Sequence, residues 1–216
     1  MVAHCAIDVC PLKYGVLPEH PIWPKMIVTV SGYHGTGKTT YAARLARELG
    51  LRHVSAGLLF RKLAQEKGMS LEELGQVALK DASIDRMIDE RTMKEAEKGN
   101  VVIDGQLAGW LLKEIANLRI HLITPEPIRI QRIAERDRLT VEEARRQTVS
   151  RERVQSERYK LHYGFKVEDM SIYQLVLDTS IGAIESISRI LVDAAKAVVE
   201  GMKRKTPERS KNQTKP

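Results

Sequence analysis

Residues 26–40 read Met-Ile-Val-Thr-Val-Ser-Gly-Tyr-His-Gly-Thr-Gly-Lys-Thr-Thr, and this stretch decides the fold. An apolar, β-branched run, Met26–Ser31, stops at Gly32. The segment Gly32-Tyr33-His34-Gly35-Thr36-Gly37-Lys38-Thr39 then fits the pattern G-x-x-x-x-G-K-[ST]. A helix pattern, Lys38–Leu49, comes at once after it. Strand, glycine loop and helix in that order make a phosphate cradle. Gly32, Gly35 and Gly37 admit backbone angles and close approaches that a Cβ would block. The loop N–H groups point inward at phosphate oxygens, and the helix adds the positive end of its dipole. Gly32, Tyr33, His34, Gly35, Thr36, Gly37, Lys38, Thr39 and Thr40 are therefore the candidate nucleotide-binding residues. Lys38 brings a mobile charge to the β- and γ-phosphates. Thr39 offers a hydroxyl to Mg²⁺, and Thr40 reaches the α-phosphate. Tyr33 and His34 fill variable positions, and His34 is expected to face solvent. The pattern specifies nucleoside-triphosphate binding but not the reaction.

Outward from this loop the chain alternates between short apolar runs and helix patterns. Arg52–Ser55 reads as a weak strand. Gly57–Lys67, Ser70–Lys80 and Ser83–Lys98 read as helices, the last closed by Gly99-Asn100. Val101–Asp104 is a buried-strand run, Leu107–Ala116 a helix, and Arg119–Ile123 a strand stopped by Thr124-Pro125. A long Arg-rich helical stretch, Ile128–Leu161, breaks around Asp137–Thr140. Leu175–Asp178 is the last strand. Ile184–Met202 is an amphipathic helix with Ile184, Ile187, Ile190, Leu191, Ala194 and Val198 on one face. Five strands separated by helices predict an α/β fold with a parallel sheet covered on both faces. Ligands of such sheets bind at the carboxyl ends of the strands.

A chain of 216 residues predicts one domain, and 43% hydrophobic residues suffice for a core. No run of 18 apolar residues is present, so no transmembrane helix and no membrane partner are expected. Cys5 and Cys10 are the two cysteines, too few for a disulfide framework or a four-ligand zinc site, which makes the cytoplasm the default compartment. The net charge of +7 is placed unevenly: residues 201–216 hold six basic residues against Glu208. This segment reads as a basic, disordered tail. With aromatics at 5%, no base-stacking surface is expected, so nucleic acid enters only through weak contacts by the tail. Residues 1–25 contain Pro11, Pro18, Pro21 and Pro24 and no period, and read as an extension or disordered arm, with Met26 a candidate start. The folded unit is expected over 26–200, as a monomer.

Two further groups of residues carry chemistry. Asp104 closes an apolar strand, where an acid holds Mg²⁺ through water in P-loop proteins. Between Ile128 and Leu161 stand nine arginines against a single lysine, Lys160. Arg129, Arg132 and Arg136 share a helix side, and Arg151 and Arg158, seven apart, share another. Arginine suits bidentate phosphate contact better than lysine does. Transfer of a γ-phosphoryl group to another phosphate needs such a set. The acceptor oxygen is already ionised at neutral pH, so positioning and cationic stabilisation suffice. No His/Ser/Asp constellation is evident.

These residues together resemble the nucleoside monophosphate kinases, and within them the archaeal type of cytidylate kinase. The likeness rests on residues 26–40, Val54–Arg61 (VSAGLLFR), Leu107–Trp110 (LAGW), Arg129–Arg136, Arg151–Gly164 (RERVQSERYKLHYG) and Asp169–Ser180 (DMSIYQLVLDTS), and runs from about Met26 to about Val199. The P-loop is generic; the other elements are more particular. The resemblance implies a P-loop NMP-kinase fold with a five-stranded parallel sheet, a helical NMP-binding insert at about 56–99 and a short LID at about 137–158. It implies ATP with Mg²⁺ as phosphoryl donor and CMP, or dCMP, as acceptor, giving CDP in pyrimidine nucleotide metabolism. It makes Lys38, Arg132, Arg136, Arg151 and Arg158 the candidate catalytic cations. It makes Ser55, Arg61 and Gln106 the acceptor ligands, and Thr39 and Asp104 the metal-holding pair. One departure stands out. Bacterial cytidylate kinases carry Arg after the Asp-Gly of this strand end, whereas Asp104-Gly105 is followed here by Gln106. Two other readings remain open. One is an adenylate- or dephospho-CoA-type kinase, although Asp104–Ala108 lacks the D-G-[FY]-P-R signature. The other is an ATP-binding, RNA-associated assembly factor, which the basic tail favours.

Overall fold

The computed structural model of the protein describes residues 25–164 and 169–205. Five strands form one parallel sheet: β1 (Ile27–Gly32), β2 (Arg52–Ser55), β3 (Val101–Asp104), β4 (Leu118–Ile123) and β5 (Leu175–Asp178), in the order β2-β3-β1-β4-β5. The expected five-stranded parallel sheet is thus present. Eight helices connect and cover it: α1 (Lys38–Leu49), α2 (Ala56–Glu66), α3 (Leu71–Lys80), α4 (Ser83–Glu97), α5 (Ala108–Leu111), α6 (Glu126–Asp137), α7 (Val141–Tyr163) and α8 (Ile184–Lys205).

Alternation along the central strand explains the layers. Val28 and Val30 point to one face, where Leu45 of α1 and Ile187 and Leu191 of α8 meet Ile120 and Leu122 of β4. Ile27 points to the other face, with Val101 and Ile103 of β3, Ala96 of α4 and Leu112. The β1 backbone is buried on both sides, hence its apolar run. β1 pairs with β3 on one flank and β4 on the other, so the chain leaves β1 at the point where strand order reverses. The glycine loop sits there.

Several boundaries differ from expectation for local reasons. α5 covers Ala108–Leu111 rather than Leu107–Ala116. Beyond it the chain turns tightly, with Lys113 N–H donating to the Trp110 carbonyl and Ile115 N–H to that of Leu112. Fully buried Leu112 anchors the turn under the sheet. α8 continues to Lys205, so the first five residues assigned to the tail are helical; residues 206–216, like the arm 1–24, lie outside the described residues. The buried stripe of α8 is Ile187, Leu191, Val192, Ala195 and Val199, while Ile184 and Ile190 are 42% and 41% exposed. The stripe runs along an i, i+4 row, the ridge that packs best between α1 and the sheet. The break in the Arg-rich stretch falls at Arg138, whose φ of 56° ends α6. Thr140 then starts α7 through a capping box with Glu143. No described helix is long and apolar enough to cross a membrane.

Candidate active site

The loop after β1 is held in shape by side chains from other elements as well as its own. Within the loop, the Thr36 hydroxyl donates to the Tyr33 carbonyl at 2.9 Å, and Lys38 Nζ donates to the same carbonyl at 2.8 Å. The Thr179 hydroxyl, after β5, donates to the Thr36 carbonyl at 3.1 Å. Arg132 of α6 binds the Thr179 hydroxyl and carbonyl at 2.8 and 3.0 Å and reaches the Gly35 carbonyl at 3.5 Å. Arg129 of α6 donates to the His34 carbonyl at 2.8 Å, pairs with Glu152 of α7 at 2.7 Å, and lies over the Tyr33 ring. Gly35 is obligatory here. Its φ is +79°, and a Cβ would come within 2.6 Å of the Arg129 carbonyl oxygen. α1 begins at Gly37 with no capping side chain and no acid in its first turn, leaving its N-terminal N–H groups free for an anion.

His34 does not simply face solvent. It is partly buried, and its Nε2 lies 3.0 Å from Oε1 of Gln155, whose amide in turn donates to the Tyr159 hydroxyl. Burial, then the charge of Arg151, hold its pKa well below the usual imidazole range. The loop is covered by α7, which the sequence does not place there.

Asp104 ends β3, opposite Val30 of β1 and Ser55 of β2. Its side chain is buried, and Oδ2 has no hydrogen-bond partner; His53 Nε2 is 3.7 Å away. Thr39 is exposed at the first turn of α1. An orphaned acid oxygen and a free hydroxyl at the same cavity suit a Mg²⁺ ion held partly through water. Ser55 caps α2, accepting from Leu58 N–H at 3.3 Å.

All of this opens onto one cavity of about 640 Å³. Gly35, Gly37, Lys38, Thr39 and Thr40 line it. So do Arg61 of α2, Arg136 of α6 and Arg151 of α7. These three arginines lie close enough to perturb one another. Burial first, then their mutual charge, lowers the pKa of Arg61 and of Arg151. Arg136 is held by Asp137 in a bidentate pair at 2.7 Å, which raises its pKa. Burial pushes Lys38 down to about 8, against the opposing pull of Asp104. Like charges gathered in a partly desolvated space leave an anion site. Gln106 also lines this cavity, with Nε2 buried and unpartnered.

Arg158 keeps different company. It is 4% exposed, sits 3.0 Å from Asp85 of α4, and lies over the Phe60 and Tyr159 rings at 5.1 and 5.3 Å. Asp89, one turn beyond Asp85, accepts a hydrogen bond from the Tyr163 hydroxyl. The sequence does not mark Arg129 as a loop support, nor does it single out Glu152, Gln155, Asp85 or Asp89. Glu152 lies 23 residues from Arg129 and Gln155 lies 121 from His34, where no spacing rule reaches.

A strand-ending P-loop, a buried acid on the neighbouring strand and an arginine cluster in the same cavity define a P-loop kinase. Solved structures with this fold include an uncharacterised protein from Eubacterium ventriosum, with TM-score 0.63 and 16% identity over 81% of this chain and 99% of that one. Another is shikimate kinase from Acinetobacter baumannii in complex with shikimate, with TM-score 0.52 and 16% identity over 82% and 95%. At such identity the likeness concerns the fold. A family model, the cytidylate kinase-like family, matches residues 27–181, and the chain belongs to that family. It is 45% identical to a cytidylate kinase of Staphylothermus marinus, over 77% of this chain and 94% of that protein. It is 46% identical to one of Ignicoccus hospitalis, over 77% and 99%. A third, from Pyrococcus horikoshii, is 44% identical over 77% and 86%.

Proposed function

We propose that the protein is an ATP:CMP phosphotransferase, which transfers the γ-phosphoryl group of ATP to the phosphate of CMP and yields ADP and CDP; dCMP is the deoxy acceptor. The observation that carries this reading is a single cavity lined both by the P-loop and by Arg61, Arg136 and Arg151. A donor and an acceptor phosphate share that cavity, as transfer between phosphates requires.

In this reading the loop N–H groups, Lys38 and Thr40 hold the triphosphate. Arg132 is committed to Thr179 and Gly35, so it keeps the loop in shape as well as adding charge beside the γ-phosphate. Arg61 and Arg151 orient the acceptor phosphate, and Gln106 donates to it through its free amide. Arg136 leaves Asp137 for phosphate when the LID closes. Thr39 and, through water, Asp104 would hold Mg²⁺, which would supply charge neutralisation on the phosphate oxygens. No residue need act as a general base, because the attacking oxygen is already ionised. The residues supply alignment and stabilise equatorial charge.

The test is purified protein with ATP and Mg²⁺ and a panel of CMP, dCMP, UMP, AMP and GMP, with ADP formation followed. CMP-dependent ADP formation is the expected result. Turnover with AMP alone supports the adenylate-type alternative, and ATP consumption independent of any monophosphate overturns the reading.

A further inference from the structure

The glycine-loop pattern accepts any residue at position 34 and gives its side chain no task. The structure gives the His34 side chain a fixed place. It lines the cavity together with Lys38, Arg61 and Arg151. Its Nε2 stands 3.0 Å from Oε1 of Gln155. The amide nitrogen of Gln155 donates to the Tyr159 hydroxyl, so the amide oxygen is the end turned to the imidazole. That oxygen can only accept, and the ring proton therefore sits on Nε2. In the neutral ring Nδ1 carries a lone pair and cannot donate to an anion. The surrounding charges keep the ring neutral in the protein without nucleotide. Burial first, then Arg151 of α7 and Lys38, disfavour a charged ring; the Gln155 bond favours one, and Arg61 of α2 disfavours it. From α6, Arg129 holds the His34 carbonyl and Arg132 reaches that of Gly35. The carboxylate on this side, Glu152 of α7, is paired with Arg129. Phosphates in the same cavity place anionic oxygens among these cations, and an opposite charge nearby favours the imidazolium.

We infer that the His34 side chain is a further ligand of the phosphates in transfer, and that it takes up one proton at Nδ1 when the nucleotides bind. The inference rests on the proposed transfer between phosphates. The proton comes from solvent and adds to the Nδ1 lone pair, which turns that nitrogen into a donor to a phosphate oxygen. The Nε2–H stays on Gln155, so the ring keeps its orientation while its charge changes. The proton returns to solvent when the products leave. The imidazolium is thus present only while anionic charge is there to stabilise. Without nucleotide the loop does not carry one more desolvated cation beside Lys38 and Arg151.

The experiment follows the ring carbons of ¹³C-labelled histidine by NMR as pH is varied, in the full chain. The His34 signal is the one missing from the spectrum of His34→Gln, or of His34→Asn should the first variant not fold. The protein alone is compared with the protein saturated with Mg²⁺, CMP and β,γ-imido-ATP, which binds without transferring its terminal phosphoryl group. The His34 ring is expected to hold its proton roughly tenfold or more tightly in the complex. Between the two midpoints, wild-type affinity for the imido analogue should fall as pH rises, and this slope should be absent in His34→Gln. A ring that only fills space would titrate at the same midpoint in both states. Equal midpoints in a protein that binds the analogue overturn the inference and leave the kinase reading standing. A protein that does not bind the analogue at all overturns the kinase reading and the inference with it.

Discussion

Arg129 and Glu152 form a buried ion pair at 2.7 Å that joins α6 to α7 while the same guanidinium nitrogen holds the His34 carbonyl of the phosphate loop. Their side chains are 9% and 18% exposed. Removing one partner leaves the other desolvated and unpaired. Arg129→Met is therefore expected to destabilise the fold by on the order of 3 kcal/mol in denaturant unfolding. Adding Glu152→Gln should cost less than the two single losses combined, because the orphaned charge is gone. KM for ATP should rise in Arg129→Met, since the loop loses its brace.

Lys38 links activity and stability in opposite senses. Its ammonium is pushed down to about 8 in the folded chain, against 10.5 as the ordinary value. Above pH 8 the unliganded loop loses its charge, so kcat/KM for ATP should fall as pH rises through about 8. Folding works the other way. A depressed lysine pKa favours the native state at high pH, and that contribution fades as pH falls through 8. Lys38→Ala should therefore flatten the pH dependence of melting between about 8 and 10 while cutting kcat by about 10²–10³.

Arg61 tests the acceptor wall. Arg61→Ala should raise KM for CMP by ten- to hundredfold, since a charged hydrogen bond is worth about 1.5–3 kcal/mol, and should move KM for ATP far less. Lysine at this position should restore part of the loss, the fork being absent. An effect on ATP alone would place the acceptor elsewhere. Gln106→Arg is expected to lower KM for CMP, because the amide it replaces is unpartnered in the cavity.

Gly109 explains one element of the family likeness. A Cβ there would lie 2.4 Å from the Tyr173 ring, and its N–H donates to the Ser31 hydroxyl at 3.1 Å just before the loop. Gly109→Ala should cost about 1–3 kcal/mol from overpacking. Tyr173→Leu in the same chain should recover part of it, as read by thermal melting.

The sheet was legible because β1, β3 and β4 are buried runs and the glycine pattern specifies a loop and then a helix after β1. α1, β2, β3 and β5 fall where their sequence places them. The start of α7 is written in Thr140-Val141-Glu142-Glu143, a capping box that the surrounding arginines obscure. The faces of α8 were harder, since Ile184 and Ile190 are apolar yet exposed, and composition cannot tell which of two overlapping stripes the neighbours cover. Within the site, the loop and its lysine are local chemistry and could be read directly. Arginine count could not show which guanidinium goes where: Arg129 and Arg132 hold the loop, Arg61 and Arg151 share a cavity wall, and Arg158 pairs with Asp85. Only tertiary contact sorts them.

The Gln155 side chain touches His34 at one end and Tyr159 at the other, on the helix that also carries Glu152 and Arg158. One helical rod thus borders both the phosphate loop and the arginine-lined cavity. Whatever ordering the triphosphate imposes on this rod need not be repeated when the monophosphate arrives. Thermodynamic reciprocity then makes the help mutual: the factor by which ATP tightens CMP equals the factor by which CMP tightens ATP. In the proposed transfer each nucleotide would then act as an effector of the other's binding, through a helix that neither donates nor accepts the phosphoryl group.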